Sequence, residues 1–464
     1  MDKPKNYEYT NTRTWLIIDP GEKEIEGADK KNVFLDGKFG NDKDIPLQKE
    51  VRLGELRTDE HGRLLVLASD GHSFSAVGAK DKDLDSEFDN DGWVDKVCDG
   101  TVHVTVKSKS QPDRDIPVKN RATIITGPPR FSSGTHAPTT LYELIEEVYE
   151  RPRRREAGDA YKVGDVVFYR DIYPMFKRIY LLSWTNNQNS IRNHHGPNKM
   201  KYFAGPLFSD PTKDYRKRAN LLETRIRAPV IDDDEANEKL RAEQASNEFM
   251  PLLGGDDSEP EEGKPNRWAS LTQLQYDRLK KWAGPEKNFT IGVEEVPYES
   301  FDKIPLDEQP SALTKAGLEW SIGAPMYPGI EVYWVAQRDE SYKPGERFRF
   351  ADTVTPGDLT KGLALPWQSD FSMCNTHWWP SIRPDDVVAE TYFDQLKADT
   401  KPDQLNQLAG KLKDRVRWAR GIEYEDDENK QNSEMVRKWN KLGFVARQDY
   451  GGQLEIHIER QRTL

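Results

Sequence analysis

The sequence predicts an α+β fold, with a β-rich N-terminal part of sandwich-like sheets over residues 1–130 and a mixed helical and irregular part over 131–464 that carries the site. Three observations predict it. The first third is broken into short apolar runs that stop at Gly and Pro-Gly turns, which is how strands read. From Thr140 onward, apolar residues recur at helical spacing behind capping residues. Between these helices lie long Gly- and Pro-bearing stretches, and no internal repeat is present.

Element by element, Trp15–Gly21 is a short apolar strand stopped by Pro20-Gly21. Val51–Thr58 and Arg63–Leu67 flank Asp59-Glu-His-Gly62, which predicts a hairpin with Gly at its turn. Asn90–Val94 and the run from Cys98 to Val106 predict a second strand pair with Asp-Gly turn signals, and place Cys98 beside a turn as a structural thiol. Thr140 and Glu143 have capping-box spacing ahead of a face made by Leu141, Leu144, Ile145, Val148 and Tyr149. A second helix starts at or just after Pro174 within Asp171–Leu182.

An acidic loop at about 232–266 holds a helix at Glu235–Glu243 and a solvated stretch Gly254–Gly263, a charge run that needs no function. Ser270 and Gln273 predict a capped helix with Leu271, Leu274, Leu279 and Trp282 inward, ending at Gly284-Pro285. Ala312–Trp320 is a further helix, followed by an irregular path through Gly323–Val332. Ser433 caps the last helix, with Met435, Val436, Trp439 and Leu442 on one face and Gly443 at its end. Phe444–Arg447 and Leu454–Ile458 close the chain as a hairpin.

Composition narrows the function. A net charge of −12 with only short Lys/Arg clusters argues against nucleic-acid binding, which needs phosphate neutralisation. No apolar run reaches the ~20 residues of a membrane span. The polar start Met1-Asp-Lys-Pro lacks a signal-peptide core, so a cytoplasmic protein, or one exported without a standard signal peptide, is expected. Two cysteines, Cys98 and Cys374, cannot make a disulfide framework.

There is no Walker loop, Gly-x-Gly-x-x-Gly, Gly-x-Ser-x-Gly or His-Glu-x-x-His, and no metal site is expected. His194 and His195 are adjacent and point apart on any regular element, so they read as a loop pair. What remains is the Trp- and Pro-dense stretch Leu365–Cys374, with Trp378-Trp379-Pro380 and Arg383-Pro384-Asp385-Asp386 after it. Asp370 stands four residues before Cys374, where a carboxylate can take the thiol proton and leave the reactive thiolate. Trp367, Phe371 and Met373 would desolvate that carboxylate and suit it to act as a base near neutral pH. Chemistry alone leaves Trp378, Trp379, Trp418 and Trp439 open as partners of Cys374.

The Leu365–Cys374 stretch resembles the signature of the L-lysine 6-oxidase and glycine oxidase family, whose cofactor is a cysteine tryptophylquinone made from the protein's own side chains. The likeness extends through Leu53–Glu60, Asn90–Trp93, Asp171–Pro174, Leu271–Tyr276, Ala312–Glu319, Tyr327–Glu331 and Pro356–Lys361 in one order. The family's partner tryptophan sits in Trp-x-x-Leu-Gly-Phe-Val, which reads here as Trp439–Val445. The resemblance therefore implies that Cys374 and Trp439 form the cofactor and that Asp370 is the catalytic and maturation acid/base.

It further implies oxidative deamination of an amino acid or primary amine with O2, releasing ammonia and hydrogen peroxide. A flavin-dependent monooxygenase is the implied maturation partner, and a homo-oligomer the implied assembly. Family members carry more chain before Trp15 and after the Trp motif, which raises the alternative of a non-catalytic relative that serves as a binding or structural protein. A third reading, a Cys374/His377 nucleophilic pair, is disfavoured because such pairs are usually distant in sequence.

Overall fold

The computed structural model describes residues 16–41, 45–75, 84, 90–108, 110–186, 203–229, 235–255, 259–285, 287–323, 332–371, 379–422, 427–452 and 454–462. It is α+β: small antiparallel sheets fill the N-terminal part, and helices with irregular connections dominate the rest.

Strands Val33–Asn41, Ile45–Thr58 and Leu64–Ala68 form one antiparallel sheet in that order. The predicted hairpin is its second half, with Thr58 paired to Leu64 across a turn in which Gly62 has φ 77°. Alternation sends Val51, Leu53 and Phe39 into a small core with Val94. Residues 17–20 are not a strand: Leu16 and Ile18 pack onto this core while Ile17 is exposed, so the apolar run lies across the sheet instead of joining it.

The second predicted pair exists as strands but with other partners. Trp93–Val94 pairs with Phe74–Ser75, Cys98–Val102 with Ala122–Thr126, and Thr105–Ser108 with Gln111–Pro117. Asp99-Gly100 lies within a strand and not at a turn, because the two residues pair with Ile125 and Ile124. Cys98 opens a strand and does not sit beside a turn: its Sγ lies 3.0 Å from Thr126 Oγ1, and burial pushes the thiol pKa up.

The helix Leu141–Ala157 carries the full Thr140/Glu143 capping box. The helix Tyr173–Leu182 has Pro174 in its first turn, behind a π-turn at Phe168–Ile172. For Gln273–Ala283 the cap is Thr272 with Gln275, two residues later than Ser270 and Gln273; Leu271, Leu274, Leu279 and Trp282 are buried as read. The Glu235–Glu243 helix is present. The start of the expected solvated stretch is corrected: Gly254 and Gly255 are buried, because Gly254 bridges to Trp268 and Gly255 N–H donates to Arg267 O at 3.1 Å. His194, His195 and the stretch 324–331 lie outside the described residues.

The last helix is Glu428–Lys438, capped by Asp427, so Ser433 is a buried helical residue and not the cap. The closing hairpin pairs Phe444–Gln448 with Ile456–Arg460. Backbone bonds then bring distant parts of the chain together. Val445 N–H donates to Phe131 O at 2.7 Å, Phe131 N–H to Ile382 O at 3.0 Å, and Asn90 N–H to Leu365 O at 2.8 Å. The result is one buried cluster of Phe131, Trp367, Phe371, Val387, Trp418, Ala419, Ile422, Met435, Leu442 and Val445, with Trp439 packed on its edge.

Candidate active site

The Trp439–Val445 motif has a structural reason at each position. Trp439 caps the last helix, donating its N–H to Met435 O, and opens a single 3-10 turn, Trp439–Lys441. Leu442 and Val445 are each 1% exposed and anchor the turn in the core. Gly443 permits close approach, because a Cβ there would lie 2.4 Å from Glu459 Cγ. Its carbonyl accepts from Trp418 Nε1 at 2.8 Å. Phe444 stacks on Phe131 at 5.0 Å between centroids.

The facing wall is the 365–371 segment. Ser369–Phe371 is a 3-10 turn that packs against the helix leading to Trp439. Trp367 meets the Trp439 ring edge-on at 4.9 Å and 68°, and meets Phe371 at 5.0 Å and 64°. Such tilted pairs suit the ring quadrupoles. Phe371 is fully buried, and the buried Arg383 guanidinium lies over its ring at 4.2 Å and over Trp379 at 4.3 Å. Asp370 belongs to that 3-10 turn through its backbone; its side chain, and all of Cys374, Met373, His377 and Trp378, lie outside the described residues.

A third wall comes from the N-terminal part and went unread in the sequence. The loop Asp70–Ser73 passes under the Trp439 ring. His72 lies against it at 5.5 Å and 58°. Gly71 O accepts from both Trp367 Nε1 and Gln368 Nε2, each at 3.0 Å. Ser73 Oγ contacts Gln368 Oε1 at 2.7 Å and also the Asp95 carboxylate, which accepts from Trp367 N–H at 3.0 Å. At the rim, Lys96 pairs with Asp70 at 2.8 Å. Burial pushes the Asp70 carboxyl up, but the Lys96 ammonium and the His72 backbone N–H outweigh it and hold the group below its ordinary value. The only trace of this wall in the sequence is turn chemistry, Asp70-Gly71 and Asn90-Asp-Gly-Trp93.

The site is therefore a partly buried indole held by rings on one side and by a glycine loop on another. Among the described residues, no group of three or more His, Cys, Asp or Glu could hold a metal, and no helix is long and apolar enough to cross a membrane.

Two family patterns match the chain: the L-lysine epsilon oxidase N-terminal region over residues 1–120 and the L-lysine epsilon oxidase C-terminal domain over residues 251–392. The chain belongs to the L-lysine oxidase family. A curated member, L-lysine 6-oxidase of Marinomonas mediterranea, is 25% identical over 415 residues, covering 79% of this chain and 53% of its own length. The chain thus spans about half the length of that relative.

The fold agrees with solved structures from the same bacterium. The Schiff base intermediate of L-Lys epsilon-oxidase with L-Lys has a TM-score of 0.70 at 21% identity, covering 99% of this chain and 78% of that one. A second L-Lys epsilon-oxidase structure has a TM-score of 0.61 at 22% identity, covering 89% and 69%.

Proposed function

We propose that this chain is a quinoprotein oxidase that deaminates an amino acid or primary amine with O2, through a cysteine tryptophylquinone built from Cys374 and Trp439. The observation that carries the reading is the seat of Trp439. The motif tryptophan is packed against Trp367, which in turn meets Phe371, in the segment that holds Asp370 and leads to Cys374. The residues fit such a group: the indole is walled by buried aromatic rings and by a loop without a side chain at Gly71, and its Nε1 is buried with no acceptor among the described residues.

When formed, the quinone supplies an electrophilic carbonyl and a two-electron sink. The rest falls to the chain. Asp370 is the base that takes the proton from the amine-bearing carbon. Trp367, at 1% exposure and backed by the buried Phe371, excludes water from one side of the ring. In balance, amine, O2 and water give an aldehyde or keto acid, ammonia and hydrogen peroxide, the two electrons passing to O2. A family relative captured as a Schiff base with L-Lys is consistent with carbonyl chemistry of this kind. The reading includes a flavin-dependent monooxygenase that oxygenates the tryptophan during maturation, and a homo-oligomeric assembly.

The test is intact-mass and peptide analysis of protein co-expressed with a flavin-dependent monooxygenase of the family. The expected result is two oxygens gained and hydrogens lost on a peptide pair joining Cys374 to Trp439, with a visible absorption that bleaches on adding a primary amine. Unmodified protein under these conditions would assign the chain a non-catalytic role. Asp370→Ala should block the modification while the protein stays folded; normal maturation in that variant removes Asp370 from the scheme.

A further inference from the structure

We propose that Gly71 is a positioning residue for the Trp439 ring, and that the N-terminal loop Asp70–Ser73 is the seat on which this ring is held for modification. The inference rests on the reading that Trp439 becomes the cofactor. A Cβ placed at Gly71 would lie 3.3 Å from Trp439 Cη2 and 3.4 Å from Cζ2, two adjacent carbons of the benzo ring, and 3.7 Å from Trp367 Cζ2. Contacts that close force one partner to move by a few tenths of an ångström.

Both partners are held by neighbours. The loop is fixed because Gly71 O accepts from Trp367 Nε1 and Gln368 Nε2, and because Ser73 ties into Gln368 and Asp95. The ring is fixed by Trp367 at 4.9 Å and His72 at 5.5 Å. Gly71 also has φ 70°, where L side chains are strained. Joining the ring to a sulfur, and adding oxygen to neighbouring ring carbons, needs bonding distances that tolerate little displacement. A methyl group at position 71 presses on the ring at its benzo edge and shifts it against that requirement.

The experiment compares Gly71→Ala with Gly62→Ala in the full chain, co-expressed with a flavin-dependent monooxygenase of the family. Gly62 has φ 77°, and a Cβ added there would meet nothing within 4 Å, so it carries the same backbone strain without the ring contact. Two readouts are taken: the thermal unfolding midpoint, and the fraction of Trp439 peptide that is oxygenated and linked to Cys374. Both variants should lower the midpoint, Gly71→Ala by more, because it adds the ring contact to the same backbone strain. Only Gly71→Ala should lower the modified fraction, by about tenfold or more, with Gly62→Ala within about twofold of the parent.

Full modification in folded Gly71→Ala overturns the inference and leaves the cofactor reading standing. An unmodified parent overturns the cofactor reading, and the inference with it. Should Gly71→Ala fail to fold, Ser73→Ala decides, since it loosens the loop without adding atoms near the ring. A fall of roughly threefold or more in the modified fraction supports the seat, and undiminished modification overturns it.

Discussion

Replacing Trp367 by Phe tests whether the aromatic wall holds the site together as the contacts imply. The substitution deletes two ring carbons and Nε1 from a side chain that is 1% exposed. At ~0.8 kcal/mol per buried carbon, the lost packing costs about 1.6 kcal/mol. The lost hydrogen bond to Gly71 O adds about 1 kcal/mol, and no more, because that carbonyl keeps Gln368 Nε2 as a donor. The total is about 2–3 kcal/mol, a large share of the ~5–15 kcal/mol that stabilises a typical domain. The edge-on contacts to Trp439 and Phe371 at 4.9 Å and 5.0 Å weaken together, so the modified fraction of Trp439 should fall as well. Urea unfolding followed by near-UV circular dichroism gives the stability change, and peptide mass gives the modification. A loss under about 0.5 kcal/mol with full modification would refute the claim that Trp367 braces the ring.

Further outcomes follow from other parts of the molecule. Burial, with help from the Arg130 guanidinium, lowers the His136 pKa to about 4, so the folded protein resists a proton that the unfolded chain accepts near 6.5. Stability should therefore be unaffected by this group above pH ~6.5 and should fall as pH drops toward about 4, by at most about 3 kcal/mol; His136→Gln should flatten that part of the urea-measured profile. Asp99 accepts from the N–H groups of Gly357, Leu359 and Thr360 and from Thr360 Oγ1, so Asp99→Asn should cost about 1–3 kcal/mol and raise amide exchange at 357–360, a change absent if the turn is held otherwise. Cys98 should alkylate slowly in the folded protein, since burial raises its thiol pKa, and Cys98→Ala should leave the Trp439 modification unchanged; loss of modification would give Cys98 a role the structure does not.

What could be read from the sequence was local. Thr140 and Glu143 sit three residues apart and satisfy one another, so the start of that helix needed no tertiary information. The 51–67 hairpin and the 444–460 hairpin are likewise set by alternation and a turn. The errors were non-local. Trp93–Val94 and Cys98–Val102 have strand character, yet their partners at 74–75 and 122–126 are chosen by packing and not by the nearest turn. Ser433 has the chemistry of a cap, but Asp427 takes that place earlier in the chain. The acidic run Glu423-Tyr-Glu-Asp-Asp427 offers several carboxylates, and no apolar period picks the capping one out of them.

The site divides in the same way. Trp439 and the 365–371 segment were recognisable as motifs, since their order along the chain carries the family likeness. The Gly71 loop was not, because a glycine gives no signal of the ring it faces, and that ring comes from the far end of the chain. Asp95 and Gln368 gave no signal for a related reason: each acts by holding a backbone group of another segment.

Peptide mapping of protein matured alongside a family monooxygenase reads the Cys374–Trp439 bond itself. Cys374 should resist alkylation after denaturation and travel with Trp439 as one cross-linked, oxygenated species. Recovery of alkylated Cys374 and an unaltered Trp439 on separate peptides would contradict it.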